Sequence, residues 1–213
     1  MRVVVLGAGG HARSVVWALR TQGEHELVAL TDPRPELTGR EVAGVPIVGG
    51  DDQLAPLRAD GVEGACLGVG GTRDNSRRAR LYGLARELGF ELPAVVHARS
   101  VVAPDALIAA GTVVFAAAVI GPGATIGPNA IINSGAVVEH DCVLEQHVHV
   151  ATSAALAGHV RIDEGAHVGL GARVLTGIQV GATSVVGAGA TVVRDVPPGA
   201  TVVGTPAEPI SER

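Results

Sequence analysis

Residues 119–138 read VIGPGATIGPNAIINSGAVV. Aliphatic side chains stand six apart at Ile120, Ile126, Ile132 and Val138, and alanines keep the same step at Ala118, Ala124, Ala130 and Ala136. Outward in both directions the phase holds. Every sixth residue from Val102 to Val192, sixteen positions in all, is aliphatic without one insertion. If about half of all positions were aliphatic, such a run in one preset phase would arise on the order of once in 10⁵. Four residues after each of the sixteen comes a small side chain in twelve cases, the exceptions being Val148, Val160, Ile178 and Val196. A period of six fits neither an α-helix nor an isolated strand. It describes a parallel β-helix, in which each rung buries its aliphatics on the next and none stands alone.

Upstream the period changes. Arg2 to Leu6 is an apolar run ending in Gly7, Ala8, Gly9 and Gly10; Ala12 to Thr21 has helical character, and a second run from Leu27 to Thr31 ends at Asp32. This is a βαβ unit. Gly44–Val48 and Gly64–Val69 read as further strands, and Asn75–Leu88, with arginines among Ala79, Leu81, Leu84 and Leu88, as an exposed amphipathic helix. Pro93 and a short strand from Ala94 to His97 mark the boundary. The expectation is an α/β, Rossmann-like half domain over 1–95 followed by an all-β parallel β-helix over 96–213.

Composition narrows the function. The hydrophobic share of 47% and net charge of −5 describe a globular chain, with neither a membrane span nor a signal peptide, so a cytoplasmic location is expected. All 16 basic residues are arginine. Without lysine there is no Schiff-base chemistry and no P-loop. Aromatics at 2% and mild acidity leave little for nucleic acid. Cys66 and Cys142 lie in apolar settings without CxxC spacing, which suits packed thiols rather than a disulfide or a structural zinc site.

Polar residues break the bland hexads in one place. Asn133, Ser134, Glu139, His140, Asp141, Glu145, Gln146, His147, His149, Thr152, Ser153 and His159 cluster there, and five of the eight histidines lie between 140 and 167. With eighteen residues to a coil, Asp141 stacks beneath His159 and His149 beneath His167. Imidazole, titrating near ~6.5, serves as a neutral base at ordinary pH. His140 is the expected base, and Asn133 and Ser134 stand in the same strip as candidate substrate contacts. His147, His159 and His167 read as structural or solvated.

The Gly7-x-Gly9-x-x-Ala12 turn between strand and helix, with Asp32 twenty residues past Ala12, matches the dinucleotide-binding fingerprint. It brings backbone amides and a helix N-terminus to a phosphate. A nicotinamide enzyme uses two such halves, and about 95 residues hold roughly one, so a nucleotide portion of the substrate is expected instead.

These features, with Asn133…Glu139-His140-Asp141-Cys142 and a tail of Val196-Pro197-Pro198-Gly199…Val203-Gly204-Thr205-Pro206, resemble the hexapeptide-repeat bacterial sugar acetyltransferases, which N-acetylate nucleotide-linked 4-amino sugars or O-acetylate sialic acid. The resemblance implies a left-handed β-helix of three hexads per coil and a homotrimer with active sites between subunits. It further implies His140 as base with Asp141 raising its basicity, His149 beside the acetyl carbonyl, and backbone contacts from Leu170 and Ala188 to coenzyme A. The nucleotide sugar would meet Gly9, Gly10, His11, Asp32 and Gly70. Acetyl-CoA is the implied co-substrate, and no metal, nucleic acid or membrane partner is implied. Gly70-Gly71-Thr72-Arg73 departs from the amide- or acid-rich loop expected of the family, which leaves the base and sugar open. Three other functions stand beside N-acetylation: O-acetylation of sialic acid or another sugar hydroxyl, a γ-carbonic-anhydrase-like zinc lyase, and a non-catalytic nucleotide-sugar-binding protein. The zinc reading lacks that family's pair of histidines five residues apart.

Overall fold

The computed structural model describes residues 1–71 and 73–210. The N-terminal region opens with strand β1 (Arg2–Leu6), helix α1 (Gly10–Gln22) and strand β2 (Glu26–Thr31). A hairpin of β3 (Glu41–Val42) and β4 (Val45–Pro46), helix α2 (Leu54–Ala59), strand β5 (Gly64–Leu67) and helix α3 (Ser76–Glu87) follow. The three long strands form a parallel sheet in the order β2-β1-β5. Their near-continuous apolar sequence fits a sheet covered on both faces. Val3 and Val5 pack with α1 through Val15, Val16 and Leu19, while Val4 and Leu6 pack with α3 through Leu81 and Ala85.

From Val95 the chain winds into two-residue strands, one per hexad, distributed over three parallel sheets. The pairing register is eighteen residues on each face, as Val119↔Val137, Ile126↔Leu144 and Ile132↔Val150 show. This is the left-handed parallel β-helix, of about six turns. The second residue of each pair points inward, so Ile120, Ile126, Ile132, Val138, Leu144 and Val150 form one buried column with the alanines and Cys142 between them. Small residues at the other inward position keep three walls within packing distance.

Most corners turn through one residue in the left-handed backbone region. Gly111, Gly123, Gly135, Gly165, Gly171, Gly177 and Gly189 fill that position, and Ala117, Asn129, Ser153 and Thr183 share it with Asp141 (φ 57), His147 (φ 61) and His159 (φ 60). A β-carbon there costs about 1–2 kcal/mol outside glycine and, less severely, Asp or Asn. Retaining imidazoles at such corners draws attention to their side chains.

The two regions share one core. The outward residues Val95, Val113 and Ile131 of one β-helix face, together with Phe115, pack against Val15, Val16 and Leu19 of α1. Helix α3 departs from its expected exposure in one residue. Arg78 is 1% exposed, on the same stripe as buried Leu81 and Ala85. Its guanidinium donates to the carbonyls of Leu67 (2.9 Å), which ends β5, and Val69 (2.9 Å) just after it, and to those of Gly111 (3.1 Å) and Asn129 (3.2 Å) at two β-helix corners. Among the described residues no carboxylate pairs with it. Burial pushes its pKa down to about 9, so it stays charged at neutral pH and clasps the two regions through four carbonyls.

Candidate active site

The expected base sits at the corner between the sheet of Val137–Val138 and that of Val143–Leu144. His140 Nδ1 lies 2.8 Å from Asp141 Oδ2, and both side chains are about half exposed. The hydrogen bond from His140 holds Asp141 below the usual carboxylate range, with His159 assisting. An ionised carboxylate only accepts, so His140 donates from Nδ1 and carries its lone pair on Nε2. One coil above, His159 Nε2 stands 3.7 Å from Asp141 Oδ2, and its ring meets that of His140 edge-on at 5.0 Å. His159 is thus exposed, stacked on Asp141 as its hexad phase implied, and it belongs to this cluster. The His140 ring also lies over Gly158, where a β-carbon would collide with the imidazole. Glycine at 158 gives the ring its place.

The second expected histidine occupies another environment. His149 faces outward from the third sheet, 7% exposed, beneath the loop that follows Arg78's carbonyl partners. Its Nδ1 donates to Gly71 O (2.6 Å), so Nε2 is an acceptor and takes a 3.3 Å contact from Asn133 Nδ2. The Asn133 amide is oriented in turn, because its Oδ1 accepts from the Ser134 amide at 2.8 Å. Burial, then His167 and Arg78, push the His149 pKa down to about 4. With Nδ1–H committed to Gly71 O, His149 has no N–H left for a second carbonyl oxygen, whereas Asn133 retains one.

His149, Asn133, His167, Leu170 and Ala188 line one cavity of about 410 Å³, together with Arg73 and apolar side chains. The amides of Leu170 and Ala188 have no acceptor among the described residues and are free to hold an amide-bearing chain. His167 is buried there rather than solvated.

A second cavity, of about 430 Å³, gathers Gly7, Gly9, Gly10, His11, Asp32 and Gly70, with Arg34 and Arg77. Helix α1 begins at its floor with no side-chain cap and no acidic residue in its first turn, so its amides and dipole are open to an anion. Asp32 is buried, accepts from the Ala8 amide (2.9 Å) and forms a two-pronged pair with Arg34 (2.8 and 3.0 Å). The bonds from Arg34 hold its pKa at about 2. His11 packs edge-on against Phe115, its Nε2 enclosed without a partner, and burial followed by Arg78 and His149 pushes its pKa down to about 3. A β-carbon on Gly70 would sit 3.1 Å from His11 Nδ1, so glycine lets this loop close on the ring. Thr72 of the same loop lies outside the described residues.

The structure therefore joins the expected residues in three groups: His140 with Asp141; His149 with Asn133, Leu170 and Ala188; and Gly9, Gly10, His11, Asp32 and Gly70. It does not join the first group to the second. The corner between two walls of a three-sided prism points away from the third wall. Sequence reasoning missed Arg78, whose i, i+3, i+7 spacing with Leu81 and Ala85 marks a buried stripe, and the cavity arginines Arg34, Arg73 and Arg77, which carry no local signal. Cys142 and Cys66 are buried; burial raises both thiols, Cys66 to about 12, which disqualifies them as nucleophiles.

Comparison with known proteins follows the same division. The family described as PglD N-terminal domain matches residues 2–83, and that described as hexapeptide repeat of succinyl-transferase matches 118–146 and 160–194. A histidine-to-asparagine variant of perosamine N-acetyltransferase from Caulobacter crescentus, solved with CoA and GDP-perosamine, is 39% identical over 100% of this chain and 98% of that one, with a TM-score of 0.91. The acetyltransferase domain of PglB from Neisseria gonorrhoeae FA1090, solved with acetyl coenzyme A, is 35% identical over 98% of both chains, with a TM-score of 0.91. WeeI from Acinetobacter baumannii AYE shares the fold at 23% identity and a TM-score of 0.75, over 99% of this chain and 100% of that one. No curated protein matches the chain. No helix among the described residues is long and apolar enough to cross a membrane.

Proposed function

The chain belongs to the hexapeptide-repeat sugar acetyltransferases that carry a PglD-type N-terminal domain, and from that membership we propose that it transfers the acetyl group of acetyl-CoA to the amino group of a nucleotide-linked 4-amino-deoxy sugar. The observation that carries the reading is the His140–Asp141 pair: an oriented, half-exposed imidazole whose Nε2 has no partner among the described residues. The amine attacks the thioester carbonyl, His140 Nε2 takes its proton, the C–N bond forms as the C–S bond breaks, and the imidazolium passes that proton to the departing sulfur, so coenzyme A leaves as the thiol and His140 returns neutral. Base assistance of this kind is worth ~10² to 10⁴ in rate. The attack is direct, since the buried thiols offer no acyl carrier.

Residues 1–95 hold the nucleotide sugar in this reading, and 96–213 carry out the transfer. The phosphates meet the amides of Gly9 and Gly10 and the start of α1, with His11, Arg34 and Arg77 around them. Coenzyme A lies along the cavity of Leu170 and Ala188, and Asn133 donates to the carbonyl oxygen. Because base and donor cavity occupy opposite sides of one prism, the reading requires a second chain to bring them together. A homotrimer with its sites between protomers does so. The outward row Val101, Val119, Val137 and Ala155 beside the corner, with Val101 64% exposed, supplies an apolar contact face for it. Acetyl-CoA as donor supports a cytoplasmic location in this reading.

The test measures acetylated product from acetyl-CoA with UDP-, GDP- and dTDP-linked 4-amino sugars and with free sialic acid, for wild type and His140→Ala, alongside light scattering for the assembly. Turnover on one amino sugar that is lost in His140→Ala while folding is kept is the expected result. Turnover on the hydroxyl acceptor alone, or full activity in His140→Ala, overturns it.

A further inference from the structure

The corner that holds the expected base also has the donor set of a transition-metal site. His140, Asp141 and His159 each offer a ligand atom within 4.8 Å of the other two, and among the described residues no other three His, Cys, Asp or Glu side chains do so; Asp141 Oδ2 faces His140 Nδ1 and His159 Nε2. We propose that this corner binds a divalent ion of the zinc class and that the bound ion switches the enzyme off. The inhibitory half rests on the transferase reading above; the site itself does not.

Geometry favours the ion. Tetrahedral zinc with nitrogen and oxygen ligands at about 2.0–2.1 Å requires ligand atoms about 3.3 Å apart. The two separations at Asp141 Oδ2 are 2.8 Å to His140 and 3.7 Å to His159, one on either side of that value. The stack is held by the solenoid: Asp141 and His159 occupy the same left-handed corner position in consecutive coils, and His159 N donates to His140 O at 3.0 Å. Side-chain exposures of 49%, 52% and 62% leave a path for the ion and a fourth position for water. Two imidazoles with one carboxylate select zinc, cobalt, nickel or copper over magnesium and calcium, which prefer all-oxygen shells. The other stacked pair, His149 over His167, lacks this character, since its face is covered and His149 Nδ1 is already committed to Gly71 O.

The chemistry of inhibition follows from the tautomer. In the free enzyme the neutral His140 ring carries its single proton on Nδ1, facing Asp141. An ion on Nδ1 moves that proton to Nε2, and Asp141 changes from acceptor to ligand. Nε2 is then an N–H without a lone pair, and the substrate amine has nowhere to send its proton.

The experiment uses full-length protein prepared without a histidine tag and freed of metal by a chelator. Zinc binding is followed by calorimetry and cobalt binding by visible absorption, both without substrates. Turnover is followed by chromatography of the acetylated sugar, because the released thiol itself binds zinc. The expected result is one ion per chain, tetrahedral cobalt bands, and inhibition reversed by chelator. His159→Gln weakens binding at least tenfold and, relative to its own rate in metal-free buffer, keeps its turnover at a zinc concentration that halves the wild-type rate. Equal zinc affinity in wild type and His159→Gln overturns the site. Zinc bound at the corner with undiminished turnover overturns the inhibition. A metal-free enzyme that acetylates no sugar overturns the transferase reading, while calorimetry still decides the site.

Discussion

Two pairs of residues in this molecule are stacked one coil apart, and they have opposite characters. Asp141 under His159, beside His140, is exposed and hydrogen-bonded within itself; His149 under His167 is buried beneath a loop from the N-terminal region. Eighteen residues separate the members of each pair. The difference lies in the phase within the hexad. A corner residue projects from an edge of the prism, whereas the first residue of a strand projects from a wall, and here that wall is covered. The exposed stack keeps an ionised carboxylate and is suited to moving protons. The buried one, with His149 neutral and Arg78 nearby, is suited to fixing the geometry between two regions. Identical side chains acquire chemical or architectural roles from position alone.

Substitutions divide along that line. The largest effect falls at the corner, where His140→Ala lowers turnover by ~10² to 10⁴ with an unchanged thermal midpoint; steady-state kinetics and a melting curve on the same preparation check both halves. At the junction the pattern reverses. Arg78→Met leaves four buried carbonyls without their donor and lowers unfolding free energy by about 3 kcal/mol, measured by denaturant titration.

Acid sharpens the contrast further. An unfolded histidine takes up its proton near pH ~6.5, whereas the folded chain binds one at His149 only near 4 and at His11 only near 3. Between these values the unfolded state holds more protons, so stability is complete above about pH 6.5 and is lost as pH falls toward 4. His149 accounts for about 3 kcal/mol of that loss, and melting curves from pH 7 to 4 are flatter in His149→Asn than in wild type. Smaller effects return to the corner. Asp141→Asn removes the orienting carboxylate, and Gly158→Ala pushes a methyl group into the His140 ring; each lowers kcat about tenfold with little change in KM for acetyl-CoA. A Gly158→Ala enzyme with wild-type kcat would show that the ring's resting place is irrelevant to the chemistry.

The β-helix was readable because its repeat is local: a hexad tests one residue at a time, and sixteen agreeing positions leave no competing period. The register that stacks Asp141 on His159 and His149 on His167 follows from the same arithmetic. In the first region Arg2–Leu6 was legible to the residue and α1, β2, β4, β5 and α3 in outline, whereas helix α2 and strand β3 went unread. What escaped the sequence was every contact made by segments distant along the chain. Nothing near Gly71 announces that its carbonyl will receive His149, and Arg78 looks like its solvated neighbours Arg77 and Arg80 until the carbonyls of Gly111 and Asn129 arrive around it. His159, though stacked on Asp141 by the register, read as structural or solvated because its second partner, His140, lies nineteen positions earlier, one step from the stacking interval.

The eighteen-residue register also makes chain length a design variable with two settings. A whole coil added within the prism raises everything above it by about 4.8 Å and rotates nothing, so the trough along Leu170 and Ala188 lengthens while each side chain keeps its wall. A single hexad added at the same place instead carries every later residue one face around the prism. Variation among such proteins is thereby sorted in advance: whole-coil changes alter reach, and single-hexad changes alter which residues meet.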